Sequence, residues 1–171
     1  MFEYSPADIS SQISALGPAM GIWLRTIGIA NLLSVLVLKH IQARWVLAAI
    51  LFIAVTNIPI FLSYGLIKLG SVPHLIVWVP LIVYLAREFR GGKIQPKTPF
   101  GIWALVTLML IVISVVFDVR DTVQYILGDR AQMEIDPNAP PPYITLLAIV
   151  LSIFAVVAYS FGFNRRNDRK P

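Results

Sequence analysis

Long apolar stretches with almost no charge alternate along this chain with short segments that hold most of the Lys and Arg residues. About 20 apolar residues in a helix are enough to cross a hydrocarbon core roughly 30 Å thick. Five stretches approach or exceed that length. The sequence therefore predicts an all-α, polytopic membrane helical bundle, a single transmembrane domain over residues 1–171. The five predicted spans are residues 18–38, 45–67, 71–87, 99–118 and 143–163.

The first and fourth spans carry features that the others lack. Arg25 lies inside the first span, where a charge costs about 2.5–3.5 kcal/mol on insertion scales unless it is paired or extends toward the interface. The fourth span keeps its helical period beyond the membrane, with Val119, Val123 and Ile126 on one face. We expect this helix to continue to about residue 127, before Gly128.

The basic residues predict the orientation of the bundle. With five spans, one side receives ten of the fourteen Lys and Arg residues, whereas the other receives most of the acidic ones. Because basic loops stay in the cytoplasm, we expect the N-terminus outside and the C-terminus inside. Termini on opposite sides require an odd number of spans. The expected location is a bacterial cytoplasmic (inner) membrane. The ten residues are Lys39, Arg44, Arg87, Arg90, Lys93, Lys97, Arg165, Arg166, Arg169 and Lys170.

Composition narrows the classes of function. Charged residues make up 13% of the chain and hydrophobic ones 57%, with a mean hydropathy of +0.76; soluble domains carry about 25% charged residues. The chain has no Cys, which excludes disulfides, thiol catalysis and thiolate metal ligands. The net charge of +5 comes from residues beside the spans. We therefore expect membrane lipids as partners and no nucleic acid.

Polar residues inside the predicted spans are the candidates for a site, because their burial in lipid is costly. At 100° per residue, the polar side chains from Ser114 to Tyr125 fall within an arc of roughly 100° on the fourth span. One hypothesis is an outward-facing polar pocket. A second is that Arg25 pairs with Asp118 or Asp121 and holds spans one and four together; a third is that Arg120 pairs within its own helix. The predicted cluster comprises Arg25, Asn57, His74, Asp118, Asp121 and Tyr125.

Cofactor chemistry has little support in the sequence. His74, Asp118 and Asp121 offer three metal ligands, but two Asp residues at i and i+3 are ordinary on a solvated helix. His40 lies at the opposite end of its span from His74, so the two cannot hold one haem within a chain. We see no nucleophile–base pair, Gly-rich phosphate loop or zinc-protease signature. The sequence thus predicts no catalytic residues, metal or other cofactor.

Three functions follow as hypotheses. The first is a non-catalytic accessory or assembly subunit that contacts a membrane-protein partner or a second copy, because small residues such as Gly21 and Gly28 allow close helix approach. The alternative is a channel or carrier with an outward-facing polar vestibule. The third is a membrane enzyme acting on lipid or quinone, with Asp118 or His74 as base.

Overall fold

The computed structural model describes residues 3–133 of the chain, and within them the architecture is all-helical. The predicted fifth span, residues 143–163, lies outside the described residues. Two 3₁₀ segments, Leu33–Val37 and Lys68–Gly70, interrupt the series of α-helices. The helices are α1 (Pro6–Ala15), α2 (Pro18–Leu32), α3 (Ile41–Tyr64), α4 (Ser71–Arg90) and α5 (Pro99–Ile126).

Four helical stretches in the described part of the chain are long and apolar enough to cross a membrane. They correspond to the first four predicted spans, and the prediction of an all-helical chain with apolar spans is confirmed to that extent. The stretches are Pro18–Val37, Ile41–Tyr64, Lys68–Arg90 and Pro99–Ile126.

The ends of α2 and α3 differ from the predicted spans. The first span is not one continuous α-helix, because α2 gives way to the 3₁₀ segment at Leu33. Helix α3 begins before the predicted residue 45 and includes Arg44, whose Nε donates to Leu38 O at 2.8 Å. It ends at Tyr64 because Gly65 adopts a φ of 74°, which favours glycine.

Helix α1 was not predicted. Its N-terminus carries a capping box, in which the Asp8 backbone N–H donates to Ser5 Oγ and the Ser5 backbone N–H donates to Asp8 Oδ2. Pro6 occupies the first helical position, where a missing N–H has no cost. The sequence Ser-Pro-Ala-Asp was therefore a readable start signal.

The hydrophobic core lies where α3, α4 and α5 meet. Val46, Leu85 and Ile111 are fully buried there, and Trp78 packs in the same cluster. Helix α2 contributes none of the buried residues of this cluster, and its own buried residues are Ala30 and Asn31. The described residues thus form a core between α3, α4 and α5, with a fourth apolar helix beside it.

The connection between α4 and α5 approaches the start of α5 closely. A side chain at Gly101 would collide with the backbone carbonyl of Gln95. The Gly101 N–H donates to the Thr98 hydroxyl at 3.0 Å, which caps α5. Glycine is therefore required at position 101 by close backbone approach rather than by its own φ angle.

Candidate functional site

Three helices meet at a chain of side-chain hydrogen bonds, hereafter the polar network: Asn57 of α3, His74 of α4, and Ser114 and Asp118 of α5. His74 Nδ1 lies 3.0 Å from Asp118 Oδ1, and His74 Nε2 lies 3.2 Å from Asn57 Nδ2. Asn57 Nδ2 also donates to the Gly70 carbonyl at 3.0 Å. The network connects α3, α4 and α5 at the end of the bundle where α4 begins.

The hydrogen bonds of Asn57 define the state of His74. Because Asn57 Nδ2 donates to a carbonyl, that atom is the amide nitrogen, and it can only donate to His74 Nε2 as well. His74 Nε2 is then an acceptor and carries no hydrogen. The hydrogen of the neutral ring therefore resides on Nδ1 and is donated to Asp118.

Asp118 is the acceptor at the centre of the network. Its side chain is 9% exposed, whereas that of His74 is 28% exposed. Ser114 Oγ donates to Asp118 Oδ2 at 3.2 Å, so both carboxylate oxygens have a donor. Since the serine hydroxyl is bonded to the carboxylate and not to the imidazole, this geometry is not that of a base-activated serine nucleophile.

One buried atom of the polar network has no partner among the described residues. Asn57 is 5% exposed, and its Oδ1 makes no hydrogen bond. A buried carbonyl oxygen without a donor costs free energy. The opposite orientation of the Asn57 amide would be worse, because it would place Oδ1 against the Gly70 carbonyl, and two acceptors cannot form a hydrogen bond.

The predicted ion pair of Arg25 with Asp118 or Asp121 is wrong for residues 3–133, where Asp118 pairs with His74 and Arg25 with no carboxylate. The geometry of α2 explains this. Trp23 packs edge-on against Phe117 of α5, with ring centroids 6.5 Å apart. Arg25 follows two residues later, about 200° around the helix, and so points away from α5.

The structure brings Asn57, His74 and Asp118 together but separates the other three members of the predicted cluster. Asp121 is half-buried one turn beyond Asp118 and bonds to no described side chain. The Tyr125 ring faces the guanidinium of Arg130, whose Cζ lies 5.6 Å from the ring centroid. In the described residues, no three His, Asp or Glu side chains are arranged to hold a metal ion.

Sequence reasoning missed a second cluster, at the opposite end of the bundle. Glu88 of α4 is buried and accepts from Gln42 Nε2 of α3 at 2.8 Å and from Lys93 Nζ at 2.9 Å. The hydrogen bond and the charge of Glu88 raise the pKa of Lys93. The available signal was a lone acidic residue, Glu88, at the end of a span among basic residues.

Helix α2 is attached to α5 by Trp103 as well as by Trp23. The indole Nε1 of Trp103 donates to the Ala30 carbonyl at 3.0 Å. Ala30 lies seven residues after Trp23, so both positions occupy the same face of α2. This face packs on α5, and the face with Arg25 and Gly28 is turned the other way.

Within residues 3–133 these features define the class: an all-helical chain with four helices long and apolar enough to span a membrane and a polar network between three helices. Comparison with protein-family models, with curated proteins and with solved structures gives no match for this chain.

Proposed function

We propose that this chain is a non-catalytic accessory or assembly subunit of a bacterial cytoplasmic membrane, which binds a transmembrane helix of another protein or of a second copy. In this proposal the chain crosses the membrane five times, with the N-terminus outside and the basic loops in the cytoplasm. The distribution of Lys and Arg supports the orientation.

The open face of α2 is the observation that carries the proposal. A Cβ atom added at Gly28 would meet nothing within 4 Å. Within residues 3–133, therefore, this glycine serves no close contact, although glycine in the middle of a helix is destabilising. Close approach of a helix from another chain would use it.

The apolar residues around Gly28 extend this surface. Ile29 is 61% exposed and Leu32 is 60% exposed, and Leu36 in the following 3₁₀ segment is 78% exposed. Lipid alone would accommodate such side chains, but it would not require glycine between them. The combination favours a helix over lipid as the neighbour of this face.

The polar network supports a structural role for the remaining helices. Its hydrogen bonds hold α3, α4 and α5 in one arrangement, and the carboxylate of Asp118 is fully occupied by His74 and Ser114. The Trp23 and Trp103 contacts attach one face of α2 to this unit, and the opposite face of α2 is left for a partner.

The test replaces Gly28 by Leu and compares it with Ala48→Leu, since Ala48 is an exposed small residue on α3. Membranes are extracted in mild detergent, and the complexes are measured by blue-native electrophoresis and native mass spectrometry. We expect the wild type and Ala48→Leu to run above the 19.0 kDa chain mass and Gly28→Leu to run lower. Two differently tagged copies distinguish self-association from a second protein. A monodisperse, partner-free wild-type monomer would contradict the proposal.

A second candidate function, a channel or carrier with an outward-facing polar vestibule, is favoured by the polar network, in which His74 is partly exposed and Asp118 is buried. In liposomes, His74→Gln and Asp118→Asn would then lower solute flux, whereas Arg25→Gln, outside the network, would not. Absence of flux, or flux equal to that of the wild type in His74→Gln and Asp118→Asn, would remove this candidate.

A further inference from the structure

Arg25 lies in the apolar helical stretch Pro18–Val37 and is exposed. Among residues 3–133, no carboxylate forms an ion pair with its guanidinium. An arginine at membrane depth is costly unless an anion, a backbone carbonyl or water satisfies it. The described residues supply no anion for Arg25, so a bound molecule would have to supply it.

A groove between α1 and α2 lies directly beside Arg25. Its volume is about 650 Å³, within the range of small-molecule sites. Gly21 and Arg25 form its wall on α2 at positions i and i+4, and therefore lie on one face, and the N-cap residue Gly17 also lines the groove. Ser10 and Ser14 contribute to the wall on α1.

The missing side chain at Gly21 gives the Arg25 side chain a path along the groove. Side chains on a helix lean toward its N-terminus, so the guanidinium of Arg25 extends toward Gly21 and Gly17. Arg25 is seven residues after Pro18, about 10 Å along the helix axis. Its long apolar stem spans part of that distance and brings the charge toward the membrane surface.

The lining of the groove matches one class of ligand. A guanidinium binds phosphate oxygens through two parallel hydrogen bonds, and the Ser10 hydroxyl is a further donor to such oxygens, whereas the Ser14 hydroxyl donates to the Ser10 carbonyl. Ile13, Ile22 and Leu24 supply apolar walls in the same groove. A phosphate attached to acyl chains would bind the Arg25 guanidinium and also pack its chains on the apolar walls. A free phosphate would bind only the guanidinium.

We propose that this groove binds the phosphate headgroup of an anionic phospholipid, with Arg25 as its principal cation. The proposal rests on the membrane insertion proposed above but not on a partner helix at Gly28. The bound lipid fills the groove between α1 and α2 and thereby links the N-terminal helix to the bundle.

The test measures phosphatidylglycerol bound to the purified full-length chain in detergent micelles by native mass spectrometry. We expect Arg25→Gln to weaken binding on the order of tenfold, as loss of a charge-assisted bond implies, and Arg25→Lys to retain part of it. Gly21→Leu keeps the charge but fills the groove, and it should weaken binding similarly. Arg120→Gln, an equal loss of charge at an exposed position on α5, should have no effect.

Phosphatidylcholine should bind more weakly than phosphatidylglycerol, and glycerol 3-phosphate should not displace the lipid. Binding unchanged in Arg25→Gln or in Gly21→Leu, or weakened equally in Arg120→Gln, would overturn the proposal. Displacement by glycerol 3-phosphate would show a site for a soluble phosphate instead and would also overturn it. Two controls separate a failure of this proposal from a failure of the proposed function. Labelling of single cysteines introduced into the Arg25→Gln variant reports whether that variant still inserts into the membrane. The effect of Gly28→Leu on the complexes reports the partner helix independently of lipid binding.

Discussion

His74 donates its Nδ1 hydrogen to Asp118 across 3.0 Å and so joins the start of α4 to α5, 44 residues further along the chain. The same ring accepts from Asn57 of α3 through Nε2. One imidazole thus holds three helices by accepting on one side and donating on the other. This arrangement gives α3, α4 and α5 a defined rotation about their axes, which apolar packing alone specifies less strictly.

Removal of the carboxylate at the centre of the polar network should destabilise the protein. Asp118→Ala leaves the His74 Nδ1–H and the Ser114 hydroxyl without an acceptor, and each orphaned group costs about 1–3 kcal/mol. We expect the free energy of unfolding in detergent to fall by about 2–6 kcal/mol in total. Val119→Ala, at an exposed position on the same helix, is the control. Equal stability of the two variants would show that the hydrogen bonds contribute little.

Trp103→Phe tests the attachment of α2 to α5. The substitution removes the hydrogen bond to the Ala30 carbonyl but keeps an aromatic ring beside Phe100, whose centroid lies 5.6 Å from that of Trp103. We expect a loss of about 1 kcal/mol and faster hydrogen exchange in α2. Trp45→Phe, where the indole is 56% exposed, should change neither. The assignment fails if exchange in α2 is the same in both variants.

Two glycine substitutions should have opposite consequences. Gly101→Ala places a methyl group against the Gln95 carbonyl, and relief requires a backbone shift that costs about 1–3 kcal/mol. Gly28→Ala meets nothing within 4 Å and should be neutral or stabilising by up to about 1 kcal/mol, because alanine favours the helix. Thermal unfolding of the purified chains checks both. A destabilised Gly28→Ala would mean that this face is already occupied.

Lowering the pH should destabilise the N-terminal turn of α1. The hydroxyl and then the backbone N–H of Ser5 donate to the Asp8 carboxylate, and these bonds lower its pKa below the usual value. A lowered folded-state pKa stabilises α1 above the unfolded pKa of about 3.9, and this stabilisation is lost as the pH falls through the folded value. NMR titration of Asp8 should give a midpoint below about 3.9. Ser5→Ala should return the midpoint toward that value; a wild-type midpoint already there would refute the capping interaction.

The proposed threading can be mapped directly, because the chain contains no Cys and single cysteines can be introduced without background. An impermeant maleimide applied to intact cells should label Leu127→Cys but not Lys97→Cys or Arg166→Cys. The last two should react only after the membrane is opened. Labelling of Lys97→Cys and Arg166→Cys from opposite sides would contradict five spans.

The described helices and the interactions between them differ in how far the sequence could predict them. The apolar stretches were readable because their length and lack of charge are local properties, and residues 3–133 contain four such stretches in helical form. Helix α1 was equally readable, from its Ser-Pro-Ala-Asp start and from Ile9 and Ile13 at i and i+4, although it is too short to cross a membrane. The residue types at Asn57, His74 and Asp118 indicated a polar cluster, since each is costly in an apolar helix.

The sequence by itself determined which four apolar segments of residues 3–133 are helical and which residues within them are polar. Only the tertiary structure decided which of these residues meet, because contact depends on the rotation of each helix about its axis and on which helices are neighbours. Trp23 and Ala30 direct one face of α2 toward α5, and Arg25 is thereby directed away from the carboxylates that matched its charge. Asp118 binds His74 instead because the start of α4, and not α2, lies opposite that carboxylate.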